Sequence, residues 1–198
     1  KAYTEIKPYQ KPHPLLFFGG SSQEAYEMGA EQCDVFAMYG EPLAETTARI
    51  AEHRRRTAAL GRKAAFNMSF RPIIAETEGV AWDKARRILA DIKSAKPIVP
   101  GGDVSGRRLM EIASRGEIHD ERLWMPIAEA TGARGNTTCL VGTPEQVAEA
   151  MLKYYRLGVD SFLIRGFDPL NDAREYGREL IPRLRAGAAA LDQSVAAE

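Results

Sequence analysis

Leu15-Leu16-Phe17-Phe18-Gly19-Gly20-Ser21-Ser22 sets the reading of the whole chain. Four apolar residues run without interruption into two glycines and two hydroxyls. A short continuous apolar run suits a strand buried on both faces, as in a parallel sheet. Glycines at its end allow a sharp turn and a close approach by a ligand. Gln23-Glu24-Ala25-Tyr26-Glu27-Met28 then reads as the first turns of a helix, which opens with unpaired N–H groups and a positive dipole end. Ser21 and Ser22 add hydroxyls at the same place. Two readings follow: a phosphate cradle, or a tight strand-to-helix turn with a serine cap.

Further along, the same alternation repeats. Residues 33–40 form a second strand, ended by Gly40-Glu41-Pro42, and residues 43–60 a long helix. On it Glu45 is expected to pair with Arg49, and Glu52 with Arg55 and Arg56. The basic run His53-Arg54-Arg55-Arg56 reads as a solvated helix face, because acidic residues flank it. Residues 63–74 form a third strand. Alternation puts Asn67, Ser69 and Arg71 on one side and Phe66, Met68 and Phe70 on the other. The polar row faces either a ligand, near the strand's C-terminal end, or helices and solvent. Residues 77–95 are helical, with Trp82, Ala85, Ile88, Leu89 and Ile92 as the buried stripe.

After that the pattern breaks. Residues 96–103 read as a loop, 107–114 and 121–130 as short helices, and 131–138 as a second glycine-rich loop. An insertion of this kind, about 96–138, is either a mobile lid or a passive excursion. Thr143-Pro144-Glu145-Gln146 is a capping box opening a helix over 144–157, which stops at Gly158. Residues 159–166 are the last strand, 170–184 the last helix, and 185–198 an Ala-rich fraying tail. Four strands each followed by a helix, with no hairpin signals, imply parallel strands. Four such units cannot close a barrel, so the pattern suggests half of one or a small open sheet.

Composition narrows the function classes. The 198 residues carry 27 Lys+Arg and 27 Asp+Glu, so the net charge is zero and nothing favours nucleic acid or an acidic membrane surface. No apolar run approaches the roughly 18–20 residues of a membrane span. Cys33 and Cys139 make neither a disulfide framework nor a metal motif, which points to a reducing cytoplasm and no bound metal.

In order along the chain, Pro12-His13-Pro14-Leu15-Leu16-Phe17-Phe18-Gly19-Gly20-Ser21-Ser22, Phe36-Ala37-Met38-Tyr39-Gly40-Glu41-Pro42, Leu140-Val141-Gly142-Thr143-Pro144-Glu145-Gln146-Val147-Ala148 and Gly158-Val159-Asp160-Ser161-Phe162 resemble the luciferase-like flavin-dependent monooxygenases, with the alkanesulfonate monooxygenases as the nearest branch. The resemblance implies an α/β fold of the (β/α)8 TIM-barrel type. This chain would supply its C-terminal half, strands five to eight, as one domain over 1–198.

It also implies a two-component enzyme that takes reduced FMN from a separate flavin reductase and uses O2 to oxygenate a small organic, sulfonate-like substrate. A deazaflavin-dependent oxidoreductase of the same superfamily and a non-catalytic half-barrel are the other readings. Homo-oligomerisation, or pairing with an N-terminal half, is expected. Gly19, Gly20, Ser21 and Ser22 would bind the flavin phosphate, and Tyr39 would stand beside the isoalloxazine ring. Arg134 would match a lid arginine that closes over flavin or anion, and with Arg71 it would supply cations to the reaction. The branch has an Arg and a His on its seventh strand where this chain has Ser69 and Arg71, and a Tyr where it has Phe167. Ser69 and Phe167 are therefore the expected substrate contacts, and these departures bear on sulfonate specificity.

Overall fold

Continuous apolar runs give parallel strands, and amphipathic stretches between them give helices that cover one face. A computed structural model of the protein describes residues 3, 5–95, 102–135 and 137–196. The opening of the expected insertion, residues 96–101, and Asn136 lie outside the described residues. In chain order the elements are β1 (Phe17–Gly19), α1 (Gln23–Gln32), β2 (Val35–Tyr39), α2 (Leu43–Ala59), β3 (Ala65–Ile74), α3 (Glu78–Ser94), α4 (Val104–Ser114), β4 (Ile118–His119), β5 (Leu123–Trp124), α5 (Pro126–Ala130), β6 (Cys139–Gly142), α6 (Pro144–Leu157), β7 (Ser161–Ile164), α7 (Pro169–Glu175) and α8 (Ile181–Ala196). A π-helical turn, Tyr176–Leu180, joins the last two. Among the described residues, no helix is long and apolar enough to cross a membrane.

Strands β1, β2, β3 and β7 run parallel and form a curled half-barrel sheet. The register puts Phe17 beside Val35, Val35 beside Ala65, and Asn67 beside Ser161. One face therefore carries Phe36, Met38, Phe66, Met68 and Phe70, all buried under the helices with Ile50, Val147, Met151 and Tyr154. Each such side chain contributes about 1.5–3 kcal/mol by leaving water. The other, inner face carries Ala37, Tyr39, Asn67, Ser69 and Leu163. Two local devices tie strand ends together. Asp34 accepts the Leu16 N–H at 2.9 Å, and Asp160 accepts the Phe66 N–H at 2.7 Å.

Several expectations need correction. The helix that follows β3 does not cover the half-barrel. Ala81 and Ala85 of α3 pack with Trp124, Ile127, Cys139 and Val141 in a separate cluster. It is α6 that lies on the main core, through Val147, Ala148, Met151 and Tyr154. The cause is the length of β3. Its second half, from Arg71 to Ile74, pairs with β6 and starts an extra mixed sheet that needs its own helix.

Nor is the chain free of hairpins. β4 and β5 pair antiparallel, and β5 pairs antiparallel with β6. Their turn places Asp120 (φ 47°) and Glu121 (φ 73°) in the left-handed region without a glycine. Asp120 is held there because its carboxylate accepts the Leu43 N–H at 2.6 Å. Residues 121–125 are consequently turn and strand, not helix. The Ala-rich C-terminal segment is helical as far as Ala196, with Gly187 of α8 lying close against Leu152.

His53 belongs to the core, not to a solvated face. It is wholly buried, stacked on Phe36 with ring centroids 4.0 Å apart and edge-on to Phe66 at 5.7 Å. Neither ring nitrogen has a hydrogen-bond partner among the described residues. Burial, with Arg56, Arg49 and Arg62 nearby, holds its pKa at about 4. The unfolded chain takes up the proton near pH 6.5 and the folded one does not until about pH 4. Stability is thus fully present above 6.5 and falls as pH drops towards 4, by at most about 3 kcal/mol. His53→Leu should flatten the fall in Tm between pH 6.5 and 4.5. Melting curves of both proteins across that range provide the check, and parallel curves would remove His53 from the account.

Candidate functional site

The C-terminal ends of β1 and β2 and the first half of β3 open onto one cavity of about 230 Å3, lined by Gly19, Gly20, Ser21, Tyr39, Arg49, Asn67, Ser69, Ser105 and Leu163 among others. In a parallel α/β sheet this rim is where ligands bind. Gly19 and Gly20 are required to be small. A Cβ on Gly19 would meet the Ala37 carbonyl oxygen at 2.6 Å, and one on Gly20 the Ala25 Cβ at 2.5 Å. Ser22 is the N-cap of α1, its hydroxyl accepting the Ala25 N–H at 3.2 Å. So the serine-cap reading holds for Ser22, whose O–H remains able to donate. Ser21 faces the cavity and accepts from the Ser105 hydroxyl at 3.1 Å. Ser105 lies in the first turn of α4, after the Asp103 N-cap. The amide ends of α1 and α4 therefore converge on Ser21.

Below the cavity lies a charged cluster centred on Glu41, which is 2% exposed. Arg49, 6% exposed, donates to Glu41 Oε1 at 2.7 Å, to the Gly20 carbonyl at 2.9 Å and to the Tyr26 hydroxyl at 2.8 Å. Arg108 of α4 reaches the same carboxylate, both oxygens at 2.9 Å. The Glu41 carbonyl accepts from Tyr154 Oη at 2.9 Å and Thr46 Oγ1 at 3.1 Å. The expected Glu45–Arg49 pair does not form. Arg49 sits on the buried side of α2, and Glu45 pairs with Arg115. The Glu52 pairs with Arg55 and Arg56 are present. Through Ser105, Arg108, Arg115 and Asp120, the described part of the insertion is fastened to the β1–α1 loop, the β2–α2 loop and the first turn of α2.

The sequence-predicted residues thus divide. Gly19, Gly20, Ser21, Tyr39 and Ser69 line one cavity; Ser22, Arg71, Phe167 and Arg134 do not. Ser69 is buried, with its hydroxyl 3.4 Å from the Met38 carbonyl. Arg71 lies on the inner face one step beyond Ser69. Its guanidinium donates to the Gly166 carbonyl at 2.6 Å and stacks 4.8 Å from the Phe167 ring centroid. Burial, then the neighbouring Arg165, lowers its proton affinity. Phe167 is therefore a platform for Arg71, and its own N–H is held by Asp172 at 2.7 Å. Arg134 is exposed on the turn after α5. Sequence reasoning missed Arg49, Glu41 and Ser105 as site residues.

Comparison with known proteins gives the setting. The family described as luciferase-like monooxygenase matches residues 1–161. Riboflavin lyase, solved with modified FMN and riboflavin, is similar at 21% identity and TM-score 0.65, over 88% of this chain and 43% of that one. EDTA monooxygenase from Chelativorans sp. BNC1 matches at 19% identity and TM-score 0.65, over 91% and 46%. The coenzyme F420-dependent tetrahydromethanopterin reductase from Methanopyrus kandleri matches at 15% identity and TM-score 0.55, over 85% and 50%. The chain thus spans half or less of the length of these proteins. With the family match running from the first residue through the start of β7, the chain belongs to the luciferase-like monooxygenase family.

Proposed function

We propose that the chain forms the phosphate-binding half of an FMN-dependent monooxygenase, contributing strands five to eight of a (β/α)8 barrel. One observation carries this reading: Gly19, Gly20 and Ser21, after the first strand, share a cavity with Tyr39, Asn67 and Ser69 on the inner sheet face. The residues fit the group. The α1 amides, the Ser21 hydroxyl and the Ser22 O–H suit a phosphate, and Gly19 and Gly20, lacking Cβ atoms, let the loop that carries them pack directly against Ala37 and Ala25. Tyr39 would border the ring. Bound reduced flavin would supply the oxygen-activating chemistry. The chain's own residues orient the cofactor, with Arg49 fixing the Gly20 carbonyl and α4 closing one side.

In this reading Arg71 and Arg134 supply positive charge to anionic groups, while Ser69 and Phe167 shape the substrate side. The alkanesulfonate branch remains the proposed affiliation, with a small organic substrate, O2 and a separate flavin reductase as partners. The inner face is exposed at Phe17 and Leu163. It would be covered by an N-terminal half-barrel or by another copy. Segment 96–138 would act as a lid, and with two buried free thiols, Cys33 and Cys139, the proposed compartment is the cytoplasm. The F420-dependent neighbour supports a second reading, a deazaflavin-dependent oxidoreductase on the same cradle.

Titration with FMN, reduced FMN and F420 separates the two cofactors. Ser21→Ala/Ser22→Ala should weaken binding of the preferred one at least tenfold, about 1.4 kcal/mol. Unchanged affinity in the double variant, or no affinity for any of the three, would overturn the cradle.

A further inference from the structure

The inner row of β3 runs Asn67, Ser69, Arg71, and that of β7 runs Ser161, Leu163, Arg165. Asn67 lies opposite Ser161, where its amide donates to the Ser161 hydroxyl at 2.8 Å, and Ser69 lies opposite Leu163. The Arg165 N–H donates to the Phe70 carbonyl at 3.1 Å, so the pairing continues one step past β7 and brings Arg165 beside Arg71. Asn67, Ser69 and Leu163 line the cavity, and the two arginines are the next inward positions along the two strands, outside that lining.

Two guanidiniums as cross-strand neighbours repel each other, and such like-charge pairs are ordinarily destabilising. Arg71 is also fixed in place, bonded to the Gly166 carbonyl and stacked on Phe167. Arg165 is exposed and forms no ion pair with a carboxylate among the described residues. Asp172, the nearby buried acid, is already engaged by Lys84 and by the N–H groups of Phe167 and Asp168. A fixed cation and an exposed one side by side on the inner face, next to the cavity's residues, make a fork for an oxyanion, which guanidiniums bind through two parallel hydrogen bonds.

We infer that Arg165 acts with Arg71 to hold the anionic head group, a carboxylate or sulfonate, of the organic substrate. Its apolar part then lies along Leu163 towards the cavity. This rests on the flavin-site reading only in making the inner face the substrate side. Nothing in the family resemblance assigns Arg165.

Calorimetric titration of the 198-residue chain with hexanoate, hexanesulfonate and neutral hexanamide tests the inference, with FMN titrated separately. The wild type should prefer the anions, and the ratio between the first two identifies the head group. Arg165→Gln should weaken the anions at least tenfold, leave hexanamide unchanged and keep FMN affinity within twofold. Arg165→Lys should restore part of the loss. Equal affinity for hexanoate and hexanamide in the wild type, or anion affinity unaltered in Arg165→Gln, would overturn it. So would an equal loss of FMN affinity, which would assign Arg165 to the cofactor. Anion binding without any FMN binding would keep the fork and discard the flavin reading.

Discussion

Glu41→Gln should lower the Tm by about 6–20 °C. Gln keeps the shape and one acceptor but loses the charge that neutralises two arginines. Arg108 is 35% exposed and can turn to water. Arg49 is 6% exposed and anchored by the Gly20 carbonyl and Tyr26, so it cannot. Breaking a buried pair by removing one partner costs about 3–5 kcal/mol, and each kcal/mol moves Tm by about 2–4 °C at this chain length. Arg108→Ala is the contrast. Glu41 keeps Arg49, so only about 1 kcal/mol should be lost. A thermal scan of both variants checks the ranking, and a double-mutant cycle between Glu41→Gln and Arg49→Gln isolates the pair. If Glu41→Gln melted within 2 °C of the wild type, roughly 1 kcal/mol or less, the buried carboxylate would not be what holds the β2–α2 loop, the cradle and α4 together.

How far this was readable from the sequence follows from how local each feature is. The four β/α units rest on patterns within a few residues of each other: the run Leu15–Phe18 before two glycines, the alternation Phe66–Asn67–Met68–Ser69–Phe70, the capping box at Thr143. The cradle is also local, because Gly19, Gly20 and Ser21 follow one strand directly. Its supports are not. Arg49 reaches Gly20 across 29 residues, and Ser105 reaches Ser21 across 84. Helical spacing pairs Arg49 with Glu45 and carries no sign of Glu41, which lies eight residues before it. Only the burial of that side of α2 decides against it. Helix α3 follows β3 in the sequence and so reads as that strand's partner in a β/α unit, but order and an amphipathic stripe do not say which sheet a helix covers. The β4–β5 hairpin was invisible because its left-handed turn is made by Asp120 and Glu121, where hairpin signals look for glycine.

Gly19→Ala should separate the site from the fold. The new Cβ would lie 2.6 Å from the Ala37 carbonyl oxygen. That atom is main chain on β2, a strand paired on both sides by β1 and β3, so it cannot turn away. The shift must therefore fall on β1. This strand is three residues long, pairs only with β2 among the described residues and is largely exposed, so it moves at little cost. Tm should change by less than about 3 °C, equivalent to roughly 1 kcal/mol. Gly20 and Ser21 move with it, however. The Gly20 carbonyl is pinned by Arg49 and Ser21 is bonded to Ser105, so the displacement strains the geometry that α1 and α4 present to a phosphate. Affinity for the preferred cofactor should fall at least tenfold, about 1.4 kcal/mol, an effect out of proportion to the change in Tm. Gly20→Ala would meet the Ala25 Cβ at 2.5 Å, an atom fixed to the first turn of α1, and should lower cofactor affinity as well. A Gly19→Ala variant that keeps full cofactor affinity at an unaltered Tm would place the phosphate elsewhere on the inner face. Loss of affinity that merely tracked loss of folded protein would make Gly19 a packing residue, with no part in forming the cradle.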